Sequence, residues 1–164
     1  MINFYPNRRV LVLAAVALAL SGCATVTQPL SIAQTLATTP ELSTLSSLAT
    51  KAGLTSTLSG TGPFTVFAPS NAAFAKVPAK TMEDLGKDPA RLAAVLTYHV
   101  IPGKVMVADV KTNSNVKTVN GGSIAVSKAG EFVTVEDGMV QTADIVATNG
   151  VVHVIDSVLI PPAR

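Results

Sequence analysis

The chain has 164 residues, 12 of them basic and 10 acidic, for a formal net charge of +2 at pH 7, with one cysteine and no tryptophan. Its basic residues are scattered, which argues against a surface that binds nucleic acid through phosphate neutralisation. One cysteine excludes a disulfide within the chain, and two histidines with no carboxylate cluster at ligand spacing give no expected metal site.

Arg8 and Arg9 precede an unbroken apolar run, Val10 to Leu20. As a helix this run would span about 16 Å, against roughly 30 Å of bilayer hydrocarbon. Residues 1–22 therefore read as a signal peptide and not as a membrane span. Leu20-Ser21-Gly22-Cys23 resembles the bacterial lipobox. That resemblance implies a lipidated Cys23 as the first mature residue, held durably at a membrane because several acyl chains bind far better than one. Ala24, where an Asp would resemble an inner-membrane retention signal, points to the outer membrane, on its periplasmic face or at the cell surface. Without Arg8 and Arg9 the chain keeps 10 basic and 10 acidic residues and no net charge. The 142 residues from Cys23 onward suffice for one domain with its own core.

Residues 23–29 read as a short polar tether, and residues 30–162 as the domain. Ile32 and Leu36, then Leu42, Leu45 and Leu48, recur at helical spacing, with Pro40 opening the second helix and Gly53 closing it. Leu54 and Leu58 continue the apolar face into a loop. Gly60-Thr61-Gly62-Pro63 is a turn. Phe64 to Phe67 alternates as a strand that Pro69 ends.

Ser70 or Asn71 is placed to cap a helix through Phe74. Ser70 is also a candidate nucleophile, but it lacks the flanking glycines of a nucleophile elbow. The groups a triad would need, His99 with Asp109 or Asp156, are not in any supporting motif. The capping reading is preferred, with a further expectation that Ser70 and Asn71 hydrogen-bond to His99.

Asp88-Pro89 caps a helix whose buried face is Leu92, Val95 and Leu96; it runs into Tyr98-His99-Val100 and stops at Ile101-Pro102-Gly103. Beyond Val105 the texture changes to strands and turns. Asn120-Gly121-Gly122, Asp137-Gly138 and Asn149-Gly150 mark turns between strands at Ser123–Val126, Phe132–Val135, Met139–Ala143 and Val151–Ile160. Glu136-Asp137 reads as a hairpin tip with solvated charges. The last strand, apolar on both faces, is expected at the centre of the sheet, with His153 buried or half-buried in it. Phe64, Phe67, Phe74, Tyr98 and Phe132 are too few, and too core-like, for a platform that stacks bases or sugars. Helices followed by strands give an α+β domain.

Three segments in order resemble the fasciclin domain family: Phe64–Phe74 (FTVFAPSNAAF), Thr97–Lys104 (TYHVIPGK) and Asn149–Pro162 (NGVVHVIDSVLIPP). The resemblance covers roughly residues 29–162. It implies a sandwich or wedge of strands beside a layer of short helices, in which Phe64, Phe67, Pro69, Ser70, Asn71, Phe74 and His153 are structural. It also implies a non-enzymatic adhesion or protein-binding role. Animal matrix members use an Asp-Ile pair before the last segment, matched here by Asp144 and Ile145, and the Tyr-His segment, matched by Tyr98, His99, Val100 and Ile101. The expected function is a lipid-anchored module, without cofactor, that binds an envelope or matrix protein or a polysaccharide. The alternatives are a carrier of an apolar small molecule or lipid between helices and sheet, and a hydrolase centred on Ser70.

Overall fold

The computed structural model describes residues 30–161. The expected signal peptide, Cys23, the 23–29 tether and Pro162 lie outside the described residues.

Short helices come first: α1 (Ile32–Thr38), a 3-10 turn (Pro40–Leu42), α2 (Ser43–Lys51) and α3 (Thr55–Leu58). Ser31 begins α1 with a capping box, its hydroxyl accepting from Gln34 N while Gln34 returns to Ser31 N. Pro40 starts the 3-10 turn, where its missing N–H costs nothing. Strand β1 (Phe64–Pro69) is followed by α4 (Asn71–Lys76), α5 (Ala79–Lys87) and α6 (Pro89–Tyr98). Asp88 caps α6, accepting from Ala90 N and Arg91 N. The remaining strands are β2 (Val100–Pro102), β3 (Asn113–Lys117), β4 (Ser123–Ala129), β5 (Phe132–Val135), β6 (Gly138–Ala147) and β7 (Gly150–Ile155). The architecture is α+β.

The strands lie in the order β2-β1-β7-β6-β5-β4-β3. β1 and β7 pair in parallel, Phe64 beside Gly150 through Pro69 beside Ile155, and the other pairs are antiparallel. A bond from Val119 N to Val100 O joins the chain just past β3 to β2, so the two ends of the order meet at one corner. Gly150 must be glycine for space, because a Cβ there would collide with Phe64 O on the neighbouring strand.

The central strands bury both faces, and their alternation separates two cores. Val66, Ala68, Val100, Val152 and Val154 face the helices and pack with Ile32, Leu36, Leu42, Leu45, Leu92 and Leu96. Phe67, Ile101 and Ile155 face the other way and pack inside the wedge with Ile124, Val126, Val133, Val135 and Leu159. Fully burying each aliphatic side chain contributes about 1.5–3 kcal/mol before the entropy of ordering is subtracted. The expected central strand is therefore present, buried at all six positions.

Several elements differ from the sequence reading. β7 ends at Ile155, where a strand to Ile160 was expected. The cause is Asp156, whose carboxylate accepts from Met139 N at 2.8 Å while Lys76 Nζ holds its carbonyl at 2.9 Å, turning the chain out of the sheet. The Met139 N–H, with Lys76, holds the Asp156 carboxyl below its ordinary pKa. β6 runs four residues past the expected Ala143, across a bulge. Leu54–Leu58 closes as a helical turn instead of a loop. α5, β2 and β3 had not been expected as elements.

Candidate functional site: a bulge held from behind

His99 ends α6 and is 2% exposed. Its Nδ1 donates to Val95 O at 2.8 Å and its Nε2 accepts from Leu159 N at 3.0 Å, which defines the neutral Nδ1–H tautomer. Burial drives its pKa down to about 4, opposed by the bond to Val95 O. The expected bonds from His99 to Ser70 and Asn71 are not formed. Ser70 instead caps α4, its hydroxyl accepting from Ala73 N at 3.2 Å. Asn71 caps a different helix: its Oδ1 accepts from Thr44 N at 3.0 Å, at the start of α2, which has no side-chain cap of its own. Asn71 Nδ2 donates to Pro40 O at 2.9 Å, tying α4 to the preceding turn.

Tyr98, Val100 and Ile101 are buried like His99, so this segment presents no exposed side chain to a protein partner. Tyr98 lies under Gly122, where a Cβ would press into the phenol ring, 2.7 Å from Cε2. Its hydroxyl lies 2.7 Å from Glu136 Oε1 and 3.0 Å from Ser123 O. Burial first, and Glu136 second, raise its pKa to about 12. Glu136 is thus more than a solvated hairpin charge: at φ 51° it turns the β5–β6 hairpin and fixes Tyr98.

Asp144 and Ile145 sit at an irregularity in β6, where the pairing with β7 skips from Thr142–Val154 to Ile145–Val152. Asp144 takes φ 56°, a left-handed conformation that Asp tolerates better than most residues. Its N–H donates to His153 Nδ1 at 3.1 Å, and its carboxylate accepts from Val107 N at 3.1 Å. His153 Nε2 donates to Val105 O at 2.9 Å, and its ring stacks on Phe67 with centroids 5.5 Å apart. His153 is therefore the opposite tautomer, Nε2–H, and its pKa is lowered by burial against the bond to Val105 O and the nearby Asp144 charge. Thr65 Oγ1 accepts from Val105 N and donates to Gly103 O, and Lys128 Nζ donates to Val107 O. One network thus joins β1, β4, the bulge and β7 to the 103–107 loop.

This arrangement holds the bulge from the interior. Ile145 packs against the helix-side core, while Gln141, Thr142, Ala143 and Val146 face solvent, Val146 at 57% exposure. The motif's carboxylate points into the loop, and its neighbours form the surface. Sequence reasoning missed this division because an Asp-Ile pair carries no mark of a positive φ. It also missed Asn149, read only as a turn residue. Asn149 Oδ1 accepts from Ile32 N at 2.9 Å, and its Nδ2 donates to Leu58 O and Gly60 O.

Phe67 is 2% and Phe74 8% exposed, Phe64 is partly buried against the helix-side core, and Pro69 ends β1. Between helices and sheet, next to His99, lies an apolar cavity of about 20 Å³, room for about one water molecule and not for a lipid chain. A larger groove of about 550 Å³ lies outside the core, between α5, α6, the β3–β4 turn and the chain beyond Leu159. Among the described residues no three His, Cys, Asp or Glu side chains are grouped to hold a metal ion, and no helix is long and apolar enough to cross a membrane.

A fasciclin domain family model matches residues 40–161. The chain is 43% identical to protein sll1483 of Synechocystis sp., over 81% of this chain and 74% of that one. It is 36% identical to the cell surface glycolipoprotein MPB83 of Mycobacterium bovis, over 81% of this chain and 61% of that one. A domain pair from the insect cell adhesion molecule fasciclin I superposes with a TM-score of 0.64 at 19% identity, over 80% of this chain and 51% of that one. At that identity the superposition speaks for the fold alone.

Proposed function

The chain belongs to the fasciclin domain family, and from that premise we propose that it is a non-enzymatic binding module whose contact surface is the β6 bulge. The observation that carries this reading is the network of Asp144, His153, Val105 and Val107 behind an exposed strip. A surface already held in one conformation loses little entropy when a partner docks. Gln141, Thr142, Ala143 and Val146 are the contact residues in this reading, and Asp144 positions them.

The polar groups a hydrolase would need have other roles: Ser70 accepts from a helix N–H, and His99 is occupied at both nitrogens by main chain. The proposed setting is the bacterial envelope, with the chain anchored through Cys23. Two observations support it: the Leu20–Cys23 motif, and a relative that is a cell surface glycolipoprotein.

The test is crosslinking of the full-length chain in its own envelope, read by mass spectrometry, beside Val146→Glu. Val146 is exposed, so this variant is expected to fold. A specific partner captured by the parent and lost in the folded variant is the expected result. A partner retained by Val146→Glu would move the contact surface off the bulge. Release of the protein into the aqueous fraction by Cys23→Ser tests the anchor separately.

A further inference from the structure

The groove outside the core has a chemistry of its own, independent of the bulge. Its floor and walls are mostly apolar: Leu85, Val95 and Ala94 from α5 and α6, the Tyr98 ring, and Ile160. Its volume of about 550 Å³ is within the range of roughly 300–1,000 Å³ common for small-molecule sites. Ile160 stays 53% exposed beside it, although neighbouring Leu159 is buried.

One charged side chain lines this groove, that of Arg91. Neither ion pair among the described residues includes it; these are Lys76–Asp156 and Lys87–Glu83. The nearest acid in sequence, Asp88, uses its carboxylate on the α6 N-terminus, at Ala90 N and Arg91 N. Asn120 and Ser123 add polar groups on the facing turn. An apolar trough with one available guanidinium complements an apolar molecule with one anionic head, and a guanidinium pairs with a carboxylate through two parallel hydrogen bonds.

We propose that this groove binds a free alkyl carboxylate, with the chain lying along Leu85, Ala94 and Ile160 and the head on Arg91. The 20 Å³ cavity beside His99 is too small for that ligand, which leaves the outer groove as its site.

The experiment titrates the isotope-labelled full chain with octanoate below its micelle concentration, and with 1-octanol as the uncharged control, following amide shifts. Saturable shifts at Thr81, Ala94, Gly122 and Ser123 are expected, with about tenfold weaker binding for 1-octanol and for Arg91→Gln, the loss of one charge-assisted contact. Ala94→Trp, filling the trough from a half-buried position, should abolish binding while leaving the amide spectrum folded. Absence of saturation, equal affinity for octanol, or indifference to Arg91→Gln would each overturn the proposal. So would sedimentation of the protein with anionic phosphatidylglycerol vesicles, but not with neutral phosphatidylcholine vesicles, that Arg91→Gln abolishes and that comes without octanoate binding, since that assigns Arg91 to a membrane surface. None of these outcomes depends on whether the β6 bulge has a partner.

Discussion

The two faces of the central strands each hold one buried, neutral histidine, and the two do different work. On the helix side His99 joins the end of α6 to the segment after β7, and both of its partners are main-chain groups in the core. On the wedge side His153 joins β7 to an exposed bulge and to the 103–107 loop. His153 also lies near enough to the Asp144 carboxylate for that charge to favour its protonation, whereas at His99 burial is opposed only by the bond to Val95 O. A buried imidazole with two core partners is part of the fold. One with a loop and a bulge as partners shapes a surface.

The most direct way to break this comparison is to delete each ring. His99→Ala should cost roughly 3–5 kcal/mol in urea unfolding, because it opens a cavity and leaves Leu159 N–H without its acceptor. His153→Ala should cost less, since the loop and bulge can relax toward water. Equal losses would erase the distinction.

Acid sharpens it. The His99 pKa falls from 6.5 unfolded to about 4 folded. Between these values the unfolded chain binds the extra proton, so this group's stabilisation is complete above 6.5 and is lost as pH falls toward 4. Its size is about 3 kcal/mol at one pKa unit per 1.36 kcal/mol. His153 adds in the same direction. Unfolding midpoints against pH should decline over this window in the parent and decline less in His99→Gln.

A smaller effect separates positioning from packing at the bulge. Asp144→Ala should cost roughly 1–2 kcal/mol, from the left-handed backbone and the lost bond to Val107 N. It should also speed hydrogen exchange at Val107, and Asp144→Asn should restore most of both. Unchanged exchange at Val107 would remove Asp144 from the network. The smallest change is Tyr98→Phe, about 1 kcal/mol for the hydroxyl's bonds. In the parent, the Tyr98 phenol should resist ionisation until about pH 12.

Much of this was legible in the sequence because it depends on neighbours in the chain. Asp88-Pro89 signals the start of α6, Ser70 caps α4, and Asn120-Gly121-Gly122 closes the β3–β4 turn; each needs only local geometry. Val151 to Ile155 reads as a central strand because apolar residues occupy both of its faces. β2 and β3 were not legible: Val100–Pro102 is only three residues long, and Asn113–Lys117 is too polar to show a buried face. The end of β7 was misread because apolar residues continue past it, and only Asp156, held by Lys76 and Met139, turns the chain away.

The candidate site divides along the same line. The amino-acid sequence alone determined the α+β class, the family and the pairs Asp144-Ile145 and Tyr98-His99, since composition, turn chemistry and motif order are properties of the chain itself. Tertiary structure alone decided which of those residues face outward. Tyr98 and Ile101 are buried because Ile124, Val126, Val133 and Val135 of β4 and β5 pack with them, Val100 because it packs in the helix-side core, and Asp144 turns inward because His153, nine residues away, and Val107, 37 residues away, complete its hydrogen bonds. Contacts between distant segments, and the positive φ they stabilise, leave no periodicity for sequence reading to find.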